Sequence, residues 1–181
     1  MLWDSIRKDQ FEHINVILSA NFPVNAPLNI LGLTALHYAC SSGNQQVLDT
    51  IFNFNPDVNY GRTPLHMAAS NNQITALNML LNQPTIDINA QSSGGETALH
   101  KAIAFSSRES IEILMQHHPN LTLQNTSGFD PVQFSRISSP GNNLFNIVSQ
   151  YLTTLNYPPL LHLQQNQLQI TDQEMSEEQG N

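Results

Sequence analysis

The chain has 181 residues, of which 40% are hydrophobic and only 11% are charged, and its formal net charge is −8. This length suits one domain with a core of its own, and binding to nucleic acid is not expected because a chain this acidic has no basic stripe to neutralise phosphates. No segment approaches the roughly 20 apolar residues of a membrane-spanning helix, and the single cysteine cannot form an intramolecular disulfide, so we expect a cytoplasmic or nuclear protein with no membrane partner.

The first 31 residues are expected to form a pair of helices at one end of the domain. Apolar residues recur there at helical spacing in two runs, and the segment closes at Phe22-Pro-Val-Asn25. The apolar residues of these runs are Leu2, Trp3, Ile6, Phe11, Ile14, Ile17 and Leu18. The segment lacks the turn motif that recurs further along the chain, as expected of a terminal unit with only one neighbour.

One turn motif then occurs four times. Its copies read Gly32-Leu-Thr-Ala-Leu-His-Tyr-Ala39, Gly61-Arg-Thr-Pro-Leu-His-Met-Ala68, Gly95-Glu-Thr-Ala-Leu-His-Lys-Ala102 and, degraded, Gly128-Phe-Asp-Pro-Val-Gln-Phe-Ser135. The glycines are 29, 34 and 33 residues apart. This period and the Thr-Ala/Pro-Leu-His core resemble the ankyrin repeat. They predict a repeat domain over residues 1–155, with units of about 1–31, 32–60, 61–94, 95–127 and 128–155.

The resemblance implies an all-α solenoid of helix-turn-helix units joined by short hairpin fingers. Such stacks present a long surface to a protein partner and contain no cleft built for chemistry. We therefore expect a non-catalytic protein-interaction module, monomeric alone, with no cofactor, metal or small-molecule substrate. Two alternative roles remain open: a dedicated inhibitor of a signalling or transcription factor, and a subunit or assembly chaperone of a larger complex.

The third unit illustrates the predicted repeat. Thr97 is expected to cap an inner helix through its hydroxyl, and the outer helix is expected to end near His117-His118-Pro119. Gly128 is expected to supply a turn conformation that other residues adopt only with strain. The apolar faces of the two helices are Leu99, Ala102 and Ile103, then Ile111, Ile113, Leu114 and Met115.

Two segments depart from the repeat. Tyr60-Gly61 follows Asn59 about four residues early, which predicts a shortened finger and a notch in the binding surface. Beyond the last predicted helix (Leu144 to Leu152), residues 156–181 are Gln-rich and acidic and are expected to be a disordered tail. Alternatively, leucines of the tail fold back on the last unit; these are Leu160, Leu161, Leu163 and Leu168.

The histidines and the cysteine are the residues most easily mistaken for metal ligands or catalytic groups. His37, His66 and His100 share one motif position, and the resemblance implies that they link the turns of adjacent repeats through hydrogen bonds. No cysteine or carboxylate repeats with them, so no metal site is expected. Cys40 occupies a position that is usually small in the family, and it is expected to act as a buried apolar residue.

The resemblance also implies which residues contact a partner, namely finger residues and the exposed face of the inner helices. The residues at those positions are Leu33, Tyr38, Ser41, Ser42, Arg62, Met67, Ser70, Asn71, Glu96, Lys101, Ala104, Phe105, Thr126, Ser127 and Phe129. Tyr38, Met67 and Phe105 are the large apolar groups among them, and aromatic residues and arginine often dominate binding energy. The alternative is that these side chains pack into an irregular stack.

One modification is also predicted. Leu81, Asp87, Ile88 and Asn89 resemble the pattern that an asparagine hydroxylase recognises in ankyrin repeats of animal proteins, with Asn89 as the acceptor. The alternative is that Asn89 is an ordinary finger residue of the repeat.

Overall fold

The computed structural model describes residues 1–59, 63–138 and 144–154, and these residues contain ten α-helices and no β-strand. The helices are α1 (Leu2–Arg7), α2 (Phe11–Ser19), α3 (Ala35–Ser42), α4 (Gln45–Phe52), α5 (Pro64–Ser70), α6 (Ile74–Leu81), α7 (Ala98–Ala104), α8 (Arg108–Gln116), α9 (Pro131–Ser138) and α10 (Leu144–Thr154). The predicted all-α solenoid is confirmed. The shortened finger predicted at residues 60–62 and the tail predicted at 156–181 lie outside the described residues.

The helices form consecutive antiparallel pairs arranged in two layers. Each odd-numbered helix contacts the next odd-numbered helix, which gives an inner layer, and the even-numbered helices form an outer layer in the same way. Each helix also packs against its own partner in the pair. The chain therefore buries its apolar residues mainly between neighbouring pairs, as expected of a repeat stack.

Two residue types at fixed motif positions build the inner layer. Leu36, Leu65 and Leu99 are at most 1% exposed and fill the space between the layers. Alanines lie where adjacent inner helices approach each other, and Ala39, Ala68 and Ala102 are completely buried. A larger side chain at these positions would push the inner helices apart, because protein cores are already close-packed.

Side chains at the helix ends satisfy backbone groups that the short helices leave unpaired. Thr97 Oγ1 accepts a hydrogen bond from the His100 N–H at 3.4 Å, as predicted for an N-cap. Asn72 makes a longer-range contact: its Oδ1 accepts from the Ser110 N–H at 3.1 Å and from Ser110 Oγ at 2.8 Å. One unit thus caps the outer helix of the next.

The described fingers are tight turns over residues 28–33, 92–96 and 125–129. In each, a glycine adopts a left-handed conformation, with φ of 75° at Gly32, 69° at Gly95 and 81° at Gly128. The turn predicted at Gly128 is therefore confirmed. A Cβ atom on Gly95 would lie 3.0 Å from Asn125 Cα, so glycine there also allows consecutive fingers to approach closely.

Candidate functional site

The repeated histidines lie in the first turn of the inner helices, and His66 and His100 each bond to the finger that follows their own helix. His66 Nε2–H donates to the Glu96 carbonyl at 2.7 Å, and His100 Nε2–H donates to the Phe129 carbonyl at 3.0 Å. The Nδ1 atom of each ring is also bonded: Thr63 Oγ1 lies 2.7 Å from that of His66, and the Thr97 N–H donates to that of His100 at 3.2 Å. The hydrogen-bonding role expected of this motif position is confirmed for these two residues.

Asparagines form a second series of contacts between units. Asn25 Oδ1 accepts from the Asp57 N–H at 2.8 Å, Asn59 Oδ1 from the Asp87 N–H at 2.9 Å, and Asn89 Oδ1 from the Asn120 N–H at 2.7 Å. These bonds account for asparagine at each position without any modification.

Hydroxylation of Asn89 stays a prediction. The half-buried side chain is held by the Asn120 N–H, so the loop must open locally before an enzyme can reach it. The measurement is intact-mass and peptide analysis of the native protein: hydroxylation adds one oxygen to the peptide containing Asn89, and an ordinary finger residue adds none. An unmodified peptide at full occupancy would rule the modification out.

Between α5 and α7 the inner layer contains a depression, here called the groove. It has a volume of about 230 Å³ and is lined by His66, Met67, Ser70, Asn71, Lys101 and Phe105. Five of these six were predicted to contact a partner. Residues of two consecutive repeats therefore line one groove, because α5 and α7 pack side by side.

The groove combines two large apolar residues with polar ones, and its charged residue is paired. Phe105 is 64% exposed although it is a large aromatic residue, and Met67 is half-buried beside it. Lys101 Nζ forms an ion pair with Glu96, and their side chains are 16% and 25% exposed. The pair leaves no net charge from these two residues at the groove.

Tyr38 was predicted to contact a partner, but its side chain already interacts with Asn29 and Trp3 of the first unit. Its hydroxyl accepts a hydrogen bond from Asn29 Nδ2 at 2.8 Å, and its ring meets the edge of Trp3 at a centroid distance of 6.2 Å. The Arg7 guanidinium lies 5.2 Å from the Trp3 ring centroid. Tyr38 therefore joins the first two units as well as lining the inner-layer face.

The other predicted contact residues are spread along the stack. Leu33 and Phe129 are half-buried at the bases of their fingers, where the Leu28 N–H donates to the Leu33 carbonyl at 2.7 Å and the Asn125 N–H to the Phe129 carbonyl at 3.0 Å. Ser41 and Ser42 lie at the end of α3. Arg62 lies outside the described residues.

Sequence reasoning missed two exposed residues at a finger tip. Ile30 is completely exposed and Leu31 is 76% exposed, yet the turn is fixed because Asn29 Oδ1 accepts from the Leu31 and Leu33 N–H groups at 2.9 and 3.1 Å. The corresponding tips are Ser93-Gly94 and Thr126-Ser127. Comparison of the three tips would have singled out the apolar pair, which the repeat motif does not require.

A larger depression of about 360 Å³ lies in the outer layer between α8 and α10, lined by Arg108, Glu112, Ile147, Gln150 and Tyr151. The described chain ends shortly after, at Thr154. None of the predicted contact residues lies there, and we assign no site to it.

The groups that suggest catalysis or metal binding do not assemble into a site in the described parts of the chain. Cys40 is completely buried, and this burial raises the pKa of its thiol well above the usual range, which disfavours the reactive thiolate. Across residues 1–59, 63–138 and 144–154, no three His, Cys, Asp or Glu side chains are grouped to hold a metal ion. Within the same ranges, no helix has the length and apolar character needed to cross a bilayer.

This chain is similar to short parts of several much longer known proteins. The bovine SMC5-SMC6 complex localization factor protein 1 is 36% identical over 85 residues, which are 47% of this chain and 8% of that protein. Human Rabankyrin-5 is 30% identical over 89 residues (47% and 8%), and the Hydra vulgaris tyrosine-protein kinase HTK16 is 28% identical over 108 residues (57% and 14%). This chain thus spans less than a sixth of the length of these relatives.

Sequence profiles of the family cover a larger part of the chain. A profile of ankyrin repeats in three copies matches residues 2–92, half of the chain, and a profile of ankyrin repeats in many copies matches residues 75–115. Together they extend from α1 into α8, the part of the chain that contains the bonded histidines and the asparagines that link the units. The chain therefore belongs to the ankyrin-repeat family.

Proposed function

We propose that this chain is a non-catalytic adaptor or scaffold that binds a partner protein through the inner-layer face, centred on the groove. The observation that carries the proposal is the large exposed ring of Phe105 beside Met67 in a depression between two rigidly packed helices. Exposed aromatic residues in a preformed depression are typical of binding hot spots.

Membership of the family supports the same role. Ankyrin repeats are protein–protein interaction modules, and they are generally non-catalytic. The relatives named above include a localization factor and a kinase that share only a small part of their length with this chain. The shared part is the repeat, so no relative's whole activity carries over.

A second candidate is a permanent subunit of a larger assembly. It is favoured by the name of the bovine relative, a localization factor for a complex, and by the low fraction of charged residues, which suits a covered surface. A cytoplasmic or nuclear location is part of both proposals. Gel filtration of the native material distinguishes the roles, since a subunit elutes in one fixed large complex.

Phe105→Ala is expected to lower partner capture by about tenfold or more, the effect of removing a hot-spot side chain. The measurement is affinity purification with quantitative mass spectrometry from the native cells. The matched control is Val16→Ala, which removes a side chain of similar exposure (66% against 64%) from α2 in the outer layer. Equal capture by Phe105→Ala, Val16→Ala and the unaltered protein would place the interface elsewhere.

A further inference from the structure

We propose that the groove binds an extended, uncharged segment of the partner protein. One large apolar side chain of that segment lies between Met67 and Phe105, and a neighbouring backbone N–H donates to Asn71 Oδ1. The inference rests on the proposed function, because it assigns the chemistry of the partner that occupies the same groove.

The size of the groove fits one side chain. Its volume of about 230 Å³ is below the range of about 300–1,000 Å³ that is usual for small-molecule and cofactor sites. The Phe105 ring and the Met67 thioether face this space, and methionine adapts its shape to an apolar neighbour because its side chain is unbranched and polarisable. A Leu, Met, Phe or Trp side chain of the partner would be covered on two sides.

In the described part of the chain, the charged groups beside the groove form one ion pair, which disfavours a strongly charged segment. The Lys101 ammonium is already paired with Glu96, and both side chains are largely buried. An incoming carboxylate would compete with Glu96 for this ammonium, and an incoming ammonium would compete with Lys101 for the carboxylate. Either group would also lose its own solvation. A neutral segment leaves the existing pair intact.

The polar rim supplies a hydrogen-bond acceptor. Asn71 Nδ2 donates to the Met67 carbonyl at 2.8 Å and to Ser70 Oγ at 3.3 Å, whereas Asn71 Oδ1 accepts no hydrogen bond from the described residues. The side chain is exposed and lines the groove, so this oxygen is accessible to a bound segment. An extended chain has N–H groups to donate along its whole length, whereas a helix has unpaired N–H groups only in its first turn. The acceptor therefore favours an extended segment over a helical one.

The test is selection of a random peptide library displayed on phage against the purified, full-length protein. We expect the enriched peptides to share one large apolar residue flanked by uncharged residues. Their affinity, measured by fluorescence anisotropy with synthetic peptides, should change little between low and high salt, because no ion pair is formed on binding.

Substitutions in the groove test the apolar contact and the hydrogen bond one at a time. Phe105→Ala should weaken binding by about tenfold or more, and Phe105→Leu should weaken it less because it keeps an apolar wall. Asn71→Ala and Asn71→Asp both lose the donor that bonds the Met67 carbonyl, but only Asn71→Asp keeps an acceptor. We therefore expect weaker binding for Asn71→Ala than for Asn71→Asp.

Three outcomes would overturn the inference. They are enrichment of acidic or basic peptides with strong salt dependence, binding that is unchanged in both Phe105→Ala and Asn71→Ala, and no enrichment at all. The proposed function is judged separately: if native capture still depends on Phe105, the inner-layer face binds a partner of different chemistry. If capture is also independent of Phe105, both proposals fail.

Discussion

Replacing Leu65 with alanine is expected to lower the free energy of unfolding by about 2–5 kcal/mol. Leu65 is 1% exposed on α5, and α5 contacts α3, α6 and α7. Removing its side-chain methyl groups leaves a cavity where three helices meet, and neighbours fixed on several sides cannot collapse to fill it. Such a loss is a large part of the roughly 5–15 kcal/mol that stabilises a typical domain.

The measurement is urea unfolding followed by far-ultraviolet circular dichroism. Leu31→Ala is the matched control, because it removes the same atoms from a side chain that is 76% exposed at a finger tip. Its expected effect is within about 0.5 kcal/mol of zero. A loss of equal size in the two variants would mean that Leu65 does not lie in the core, and the assigned repeat register would then be wrong.

Much of the fold was predictable because the same contacts recur in each unit and are made by residues at the same motif positions. The threonine at the start of the motif predicted the cap at Thr97, and the resemblance to the family implied the bond of His100 to the next finger. The end of α8 at Gln116 followed from the apolar spacing and from Pro119.

Features outside the motif were less predictable. The identity of Ile30 and Leu31 was not predictable, because the three described fingers share the glycine of the turn but differ at the two tip residues. The contact between Trp3 and Tyr38 joins a unit without the turn motif to a unit that has it. No internal alignment could therefore bring these two residues together.

The candidate site was predictable as a set of positions but not as a groove. Met67, Asn71, Lys101 and Phe105 were all named from their places in the repeat. The ion pair between Lys101 and Glu96 depends on side-chain geometry between a finger and a helix. The hydrogen bond from Asn29 to the Tyr38 hydroxyl likewise depends on the position of the first finger. Of the three large apolar groups named from the sequence, Tyr38 is therefore held by other residues, whereas Phe105 stays largely exposed.

His100→Ala is expected to lower the free energy of unfolding by about 2–4 kcal/mol near neutral pH, because it leaves buried polar groups without partners. His100 is completely buried. Its Nδ1 accepts from the Thr97 N–H at 3.2 Å and its Nε2–H donates to the Phe129 carbonyl at 3.0 Å. Alanine removes both partners at once and separates α7 from the next finger. His117→Ala, at an exposed position, is the control and should have little effect.

The same histidine should make stability depend on pH. Burial lowers the pKa of His100 below its ordinary value, and protonation would place a second donor on Nδ1 opposite the Thr97 N–H. Below a pH of about 6.5 the unfolded chain therefore binds a proton that the folded chain does not. The contribution of His100 is complete above that pH and is lost as the pH falls through its lowered pKa.

Unfolding free energies measured from about pH 8 to about pH 5 should therefore fall for the unaltered protein, with up to about 1.4 kcal/mol per pH unit coming from His100. The His100→Ala variant should lose that part of the slope, so the two proteins differ most at neutral pH and converge in acid. If His100→Ala also keeps the full slope, the imidazole is not the neutral link between α7 and the finger at Phe129, and the lost stability must come from packing alone.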